Sequence, residues 1–282
     1  MSEMKPQVEA KSDGDVPDVV IEVIDLVKSF GERTVLDGLS FHVRRGETLV
    51  VMGSSGSGKS TLLRHLIGAD LPDGGSVKVF GQELTTAADK ELDAVRLRMG
   101  VVFQTGALYN SMTVGENIAL PMQEHTDLAR HIIEIMVKMK LELVGLREFE
   151  DLMPAQISEG MKKRVGLARA IALDPEILFY DEPTAGLDPI MAGVIDALIM
   201  DLSHKLGVTS VVVTHDMHSA FRIADRIVML YQGKLIADGT VDEIRNSADQ
   251  RVIQFINGAP DGPIPLHMSR TDYVDDLMGL EP

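Results

Sequence analysis

The chain has 282 residues, 45% of them apolar, a formal net charge of -16 and no cysteine. That length accommodates one large domain, or one domain with a smaller lobe and tails, and the apolar share supplies a substantial core. The acidic balance argues against a nucleic-acid partner, because phosphate contacts need a basic face. The missing cysteines exclude a disulfide framework and any thiolate metal site.

No apolar run reaches the length of a membrane span. Residues 1–18 are polar and acidic and lack the apolar stretch of a signal peptide, so they read as a disordered tail. Val19 to Ile24 and Leu39 to Val43 alternate as strands, with Phe30-Gly31 between them. In a chain that is only 4% aromatic, Phe30 either stacks on adenine or packs the first sheet. Its position alone leaves both readings open.

Thr48 to Met52 is an apolar run. It leads into Gly53-Ser54-Ser55-Gly56-Ser57-Gly58-Lys59-Ser60, and a helical pattern opens with Thr61. Strand, glycine-rich loop and helix are the context that the pattern G-x-x-x-x-G-K-[ST] requires. The glycines let successive N–H groups face one anion, and the helix N-terminus adds its positive end. Lys59 then places a charge on the β- and γ-phosphates, and the Ser60 hydroxyl reaches Mg²⁺. The stretch reads as a nucleoside triphosphate site.

Asp73-Gly74-Gly75 turns into a short antiparallel strand, Ser76 to Gly81, and Asp89 to Arg98 follows as a helix. Val101 to Phe103 reads as a buried strand that ends at Gln104. From 105 to about 174 the character is helical. Leu128, Ile132, Ile135, Met136 and Met139 recur at helical spacing, and such a stripe is expected to pack. Ile157 to Met161 precedes a helix with the apolar face Val165, Ala168, Ile171 and Ala172, closed by Asp174-Pro175.

Ile177 to Tyr180 is continuously apolar, as in a strand covered on both faces, and delivers Asp181-Glu182 at its end. Ala185 to Pro189 turns into the helix Ile190 to Leu206. Ser210 to Thr214 is the next core strand and ends at His215, and Gln232-Gly233 joins a final hairpin. This alternation gives an α/β sheet with ligands at the strand C-termini and an inserted helical lobe. Carboxylates ending a buried strand are costly unless used. Asp181 suits holding Mg²⁺, directly or through water. Glu182 can polarise the attacking water as general base, a role that contributes roughly 10²–10⁴-fold. His215, ending the neighbouring strand, is in reach of the γ-phosphate.

Taken in order, Phe30, GSSGSGKS, Gln104, ISEGM, ILFYDE, AGLD and His215 resemble the ATPase subunits of ABC transporters, over about Val19 to Gly239. The resemblance implies a P-loop NTPase fold: a RecA-like core sheet, an antiparallel β subdomain and an inserted α-helical subdomain at about 105–175. The ATPase domain would run over 19–245 and a C-terminal extension over 246–282. Phe30 would stack on adenine, and Gly53, Ser54, Ser55, Gly56, Ser57, Gly58, Lys59, Ser60 and Thr61 would hold ATP. Ser60, Gln104 and Asp181 would serve Mg²⁺, with Gln104 also coupling the γ-phosphate to the helical lobe. Ser158 and Gly160 would bind ATP held by the other subunit of a head-to-tail homodimer, and Asp188 would link the two sites. Glu182, His215 and Gln104 would be the catalytic set.

The segment Gly106-Ala107-Leu108-Tyr109, Ser111 to Val114, Glu116-Asn117-Ile118 and Leu120-Pro121 is similar to the Mce-associated lipid transporters. Glu124-His125-Thr126 and Gly258 to Pro265 are similar to the Mla phospholipid-transport branch. That likeness implies multi-span permease subunits, a lipid-binding Mce protein and a small STAS-type regulatory subunit as partners. It implies a seat on the cytoplasmic face of the inner membrane through the permease, with phospholipid moved between inner and outer membranes. A soluble ABC ATPase acting on nucleic acid or ribosomes, or one serving a non-lipid substrate, is the alternative. The first of these usually has coiled-coil insertions or paired domains and basic surfaces, which this chain lacks. A GTPase or small-molecule kinase has no use for a segment such as Ile157 to Met161.

Two departures stand out. Glu159 and Met161 occupy positions where the family's signature, L-S-G-G-Q, has Gly and Gln. A carboxylate about 4 Å from a phosphate oxygen costs roughly 4 kcal/mol at an effective dielectric near 20. Glu159 is therefore expected to turn away, with Lys163, four residues on, as its partner. In the tail, Val252, Phe255 and Ile256 sit at helical spacing, and Gly258 to Pro265 reads as extended. Tyr273, Leu277 and Met278 are set among Asp272, Asp275 and Asp276. The resemblance implies that this tail docks on the other ATPase subunit, against a disordered acidic end.

Overall fold

The computed structural model describes residues 18–264. Tyr273, Leu277, Met278 and the tail around them lie outside the described residues, as does nearly all of the N-terminal segment. Two sheets organise the chain. The first is antiparallel: β1 (Val19–Phe30), β2 (Arg33–Arg44), β4 (Gly74–Val79) and β5 (Gln82–Glu83), in the order β2-β1-β4-β5. The second has the order β10-β9-β3-β8-β7-β6, built from β3 (Thr48–Gly53), β6 (Met99–Val102), β7 (Ile177–Asp181), β8 (Thr209–Thr214), β9 (Arg226–Tyr231) and β10 (Lys234–Thr240). All its neighbours pair in parallel except β10, which hairpins back along β9.

The central strands are buried on both faces, and alternate residues feed two cores. Val50, Met52, Leu178, Tyr180 and Val212 face one core, and Leu49, Val51, Ile177, Phe179, Val211 and Val213 face the other. The second core lies between the two sheets and includes α1 (Lys59–Leu66). The first is covered by α3 (Val114–His125), α4 (Arg130–Leu143), α5 (Glu159–Ala170), α6 (Pro189–Leu206) and α7 (Met217–Ile223). It continues to α8 (Val241–Arg245) and α9 (Gln250–Asn257). A short helix, α2 (Asp89–Arg96), precedes β6. No described helix is long and apolar enough to cross a membrane.

Several expectations change on this frame. β1 and β2 run longer than the strands expected at Val19 to Ile24 and Leu39 to Val43, and Phe30-Gly31 is their hairpin tip. β6 ends at Val102, and Phe103 is exposed in the loop beyond. α5 stops at Ala170, ahead of Asp174-Pro175. On α4, the buried face is Ile133, Val137 and Leu141. The stripe picked out by spacing instead points outward, with Ile135 54% and Met139 61% exposed, and only Met136 packs. The described part of the segment after α9 does not run extended. Gly258 caps the helix in the left-handed region, and residues 259–264 fold back over Gln254.

Candidate nucleotide and magnesium site

An open cleft of about 850 Å³ lies where the C-terminal ends of β3, β7 and β8 meet the tip of the first sheet. It is lined by Ser54, Ser55, Gly56, Gly58, Lys59, Ser60 and Thr61 of the loop, by Phe30, Gln104, Glu182 and His215, and by Arg33, Val35 and Phe255. The size and mix of apolar and convergent polar groups suit a small-molecule ligand. Gly53 and Ser57 sit behind this surface and hold the loop's shape. A Cβ at Gly53 would collide with the Leu230 carbonyl and the Ser57 hydroxyl. At Gly58, φ is 105° and a Cβ would stand 2.8 Å from the Val35 carbonyl oxygen, so the loop is pressed against β2 as α1 begins.

Lys59 is 8% exposed, and its Nζ donates to the carbonyls of Gly53 (2.8 Å) and Ser54 (3.1 Å). Burial pulls its ammonium below the usual lysine range, while the charges of Glu182 and Asp181 pull the other way. A buried cation satisfied only by backbone carbonyls of its own loop fits an anion arriving beside it. Asp181 lies half-buried at the end of β7. Burial pushes its carboxyl above the usual range, Glu182 adds to this, and Lys59 opposes it.

Glu182 follows directly, with φ of 48° in the left-handed region, and its N–H donates to the Val213 carbonyl at 2.9 Å. That strained turn at the strand end aims the carboxylate into the cleft. Its Oε2 lies 2.8 Å from His215 Nδ1, so the two side chains form one hydrogen-bonded unit. Gln104 is exposed at the cleft wall, and the loop behind it is stapled to α5. Arg169 donates to the carbonyls of Ala107 (2.9 Å) and Gly106 (3.0 Å), and Gly106 and Gly166 approach within contact of backbone on backbone.

Ser158, Gly160 and Asp188 do not line the cleft. Ser158 caps α5, accepting from the Met161 N–H at 3.3 Å. Asp188 caps α6, accepting from the N–H groups of Ile190 (2.9 Å) and Met191 (3.0 Å). A Cβ at Gly160 would stand 2.6 Å from Met191 Cε, so the start of α5 is closed onto the start of α6. Glu159 is exposed and pairs with Lys162 at 2.6 Å rather than with Lys163. Lys163 is buried, and donates instead to the carbonyls of Pro183 (2.8 Å) and Ala185 (2.6 Å).

Two motif residues of the helical lobe have local roles. Glu116 and Thr113 form a reciprocal cap on α3. Asn117 is fully buried, accepts from the Tyr109 N–H and donates to the carbonyls of Tyr109, Met112 and Thr113. Sequence reading left out Arg33 and Val35, although both follow Phe30 in the hairpin. It also left out Phe255, which no local pattern connects to the loop.

The family profile described as ABC transporter matches residues 36–185. The chain belongs to the ABC transporter family. It is therefore an ATPase of the P-loop class, with ATP as its nucleotide. The intermembrane phospholipid transport system ATP-binding protein MlaF of Haemophilus influenzae is 43% identical over 258 residues, covering 92% of this chain and 98% of that protein. The probable ribonucleotide transport ATP-binding protein mkl of Mycobacterium leprae is 41% identical over 253 residues, covering 89% and 73%. The dimeric, post-hydrolysis structure of the ATP-binding cassette MJ0796 bound to ADP and Pi aligns with TM-score 0.72 at 31% identity. It covers 78% of this chain and 98% of that one. The structure of cbiO1 from Clostridium perfringens, part of the ABC transporter complex cbiONQ, aligns with TM-score 0.76 at 27% identity, covering 86% and 96%. Both likenesses fit the two-sheet core with its helical lobe.

Proposed function

We propose that this chain is the ATP-hydrolysing subunit of a phospholipid transporter working between the inner and outer membranes. The observation that carries the substrate is the match to MlaF over 92% of this chain and 98% of that protein. The mycobacterial relatives named for ribonucleotide transport are longer, with this chain spanning 73% of the one from M. leprae.

The geometry supports a role for each residue. Backbone N–H groups from Ser54 to Thr61 and the Lys59 ammonium hold the β- and γ-phosphates. Ser60, with Asp181 and Gln104 nearby, would hold Mg²⁺, which neutralises charge between the phosphates. Among the described residues no three His, Asp or Glu side chains cluster as a metal cage. That fits a cation taking most of its ligands from phosphate and water. Glu182 accepts the proton of the attacking water, and His215 fixes its carboxylate and faces the γ-phosphate. Phe30 stacks on adenine.

Ser158, Gly160 and Asp188 stand outside their own chain's cleft, which supports a head-to-tail homodimer in which each ATP lies between one loop and the partner's signature turn. Closure of that dimer would drive multi-span permease subunits from the cytoplasmic face of the inner membrane. A lipid-binding Mce protein and a STAS-type regulator complete the assembly. In this reading 19–245 is the ATPase domain, with 246–282 as its extension. Purification of the tagged chain from detergent extracts of native membranes tests the assignment. A permease, an Mce protein and bound phospholipid are expected to copurify; a permease carrying a non-lipid-binding partner and no phospholipid would overturn it.

A further inference from the structure

We propose that Phe255, on the C-terminal helix α9, is a second aromatic wall for the nucleotide base, so that α9 and the turn after it belong to the nucleotide site. The inference rests on reading the cleft as the ATP site. Phe30 and Phe255 both line it, two of only eight phenylalanines in a chain without tryptophan, brought there from opposite ends of the described residues. With the phosphates held at the loop and the start of α1, the base must lie toward the walls that offer no anion-binding groups. Those walls are Phe30, Val35 and Phe255. Phe30 stands on a hairpin tip, 54% exposed, with Lys28 Nζ 5.6 Å from its ring centre. By itself it offers one exposed face.

Phe255 is placed more firmly. Part of its ring packs on the first core, and Val252, one turn earlier, is fully buried. Asp249 caps α9 by accepting from the Arg251 N–H at 2.8 Å. The neighbouring Gln254 is 8% exposed and clamps the segment that follows. It accepts from the Ile264 N–H at 2.7 Å and donates to the carbonyls of Ile264 (3.0 Å) and Ala259 (3.2 Å). A Cβ at Gly262 would collide with the Gln254 side chain, so this fold-back is tight. A base resting on Phe255 would therefore stabilise 250–264 as a unit, and by reciprocity a firm α9 would tighten nucleotide binding.

The test uses the full-length chain with two probes, ATP and inorganic tripolyphosphate, the second lacking a base. Stacking on an aromatic predicts that Phe255→Ala weakens ATP about fivefold or more and leaves tripolyphosphate within about twofold. Phe255→Tyr should restore ATP affinity. Hydrogen exchange of 250–264 should slow on adding ATP in the wild type and not in Phe255→Ala. Unchanged ATP affinity in Phe255→Ala, or equal losses for both probes, would overturn the proposal. Wild-type ATP affinity in Lys59→Ala would instead overturn the reading of the cleft itself, which keeps the two failures apart.

Discussion

His215 Nδ1 stands 2.8 Å from Glu182 Oε2, across the ends of the neighbouring parallel strands β7 and β8. The Glu182 side chain is 14% exposed and that of His215 64%, so the histidine is the outer member and the carboxylate the sheltered one. In the proposed mechanism His215 orients the Glu182 carboxylate, whose backbone sits in the left-handed region. His215→Ala is expected to keep ATP binding within about twofold and to lower turnover by about tenfold or more, because the general base Glu182 loses the partner that holds its carboxylate. Nucleotide titration beside steady-state hydrolysis separates the two effects.

Lys163 ties α5 to the loop after Glu182 through two carbonyls, those of Pro183 and Ala185. Lys163→Met should leave both without their donor and destabilise the fold by about 1–3 kcal/mol. Because that loop runs on to Asp188, hydrolysis should fall in the same variant while ATP affinity holds. Urea unfolding and ATPase rate, measured together, check both parts.

The strand-end chemistry was legible because buried strands in this chain are short, apolar and end in polar residues, so Asp181-Glu182 and His215 announce themselves. The helical lobe was less legible. α4 carries apolar residues on two faces, and its periodicity cannot say that Ile133, Val137 and Leu141 meet the core while Ile135 and Met139 meet solvent. Lys163 misled for the same reason. At four residues from Glu159 it looked like a surface pair, but tertiary packing turns that face of α5 inward, and Lys162 takes the carboxylate. Phe255 reaches the cleft only because α9 packs back on α8 and the first core, a relation no local window contains.

Shared sites can be tested by complementation. Ser158→Arg puts a bulky cation on the signature turn, and Lys59→Ala disables the loop. In a mixed dimer both lesions fall in one composite site and the other stays intact, so activity should survive above either homodimer's level. Comparable ATP-driven crosslinking of wild-type and Ser158→Arg homodimers would speak for sites confined to single subunits.

Glu176 accepts from Arg98 (2.6 Å) and Arg45 (2.8 Å), and these hydrogen bonds hold its carboxyl down to about 2 from an ordinary 4.5. A carboxyl lowered by folding stabilises the protein above the unfolded-state value and loses that contribution as pH falls toward the folded one. The side chain is 38% exposed, so solvent screening limits the contribution to about 1 kcal/mol or less. Glu176→Gln should thus be slightly less stable than wild type at pH 7, with the difference shrinking from about pH 4.5 to about pH 2. Denaturant melts across that range measure it.

Glu182 is the proposed base of an ATP-hydrolysing subunit, and the most direct measurement is ATP turnover by Glu182→Gln in the assembled membrane complex. The carboxamide keeps the shape of the side chain but cannot take a proton from water. The prediction is ATP affinity close to wild type, hydrolysis slower by about tenfold or more, and accumulation of the closed, ATP-loaded dimer. Hydrolysis at the wild-type rate would contradict it.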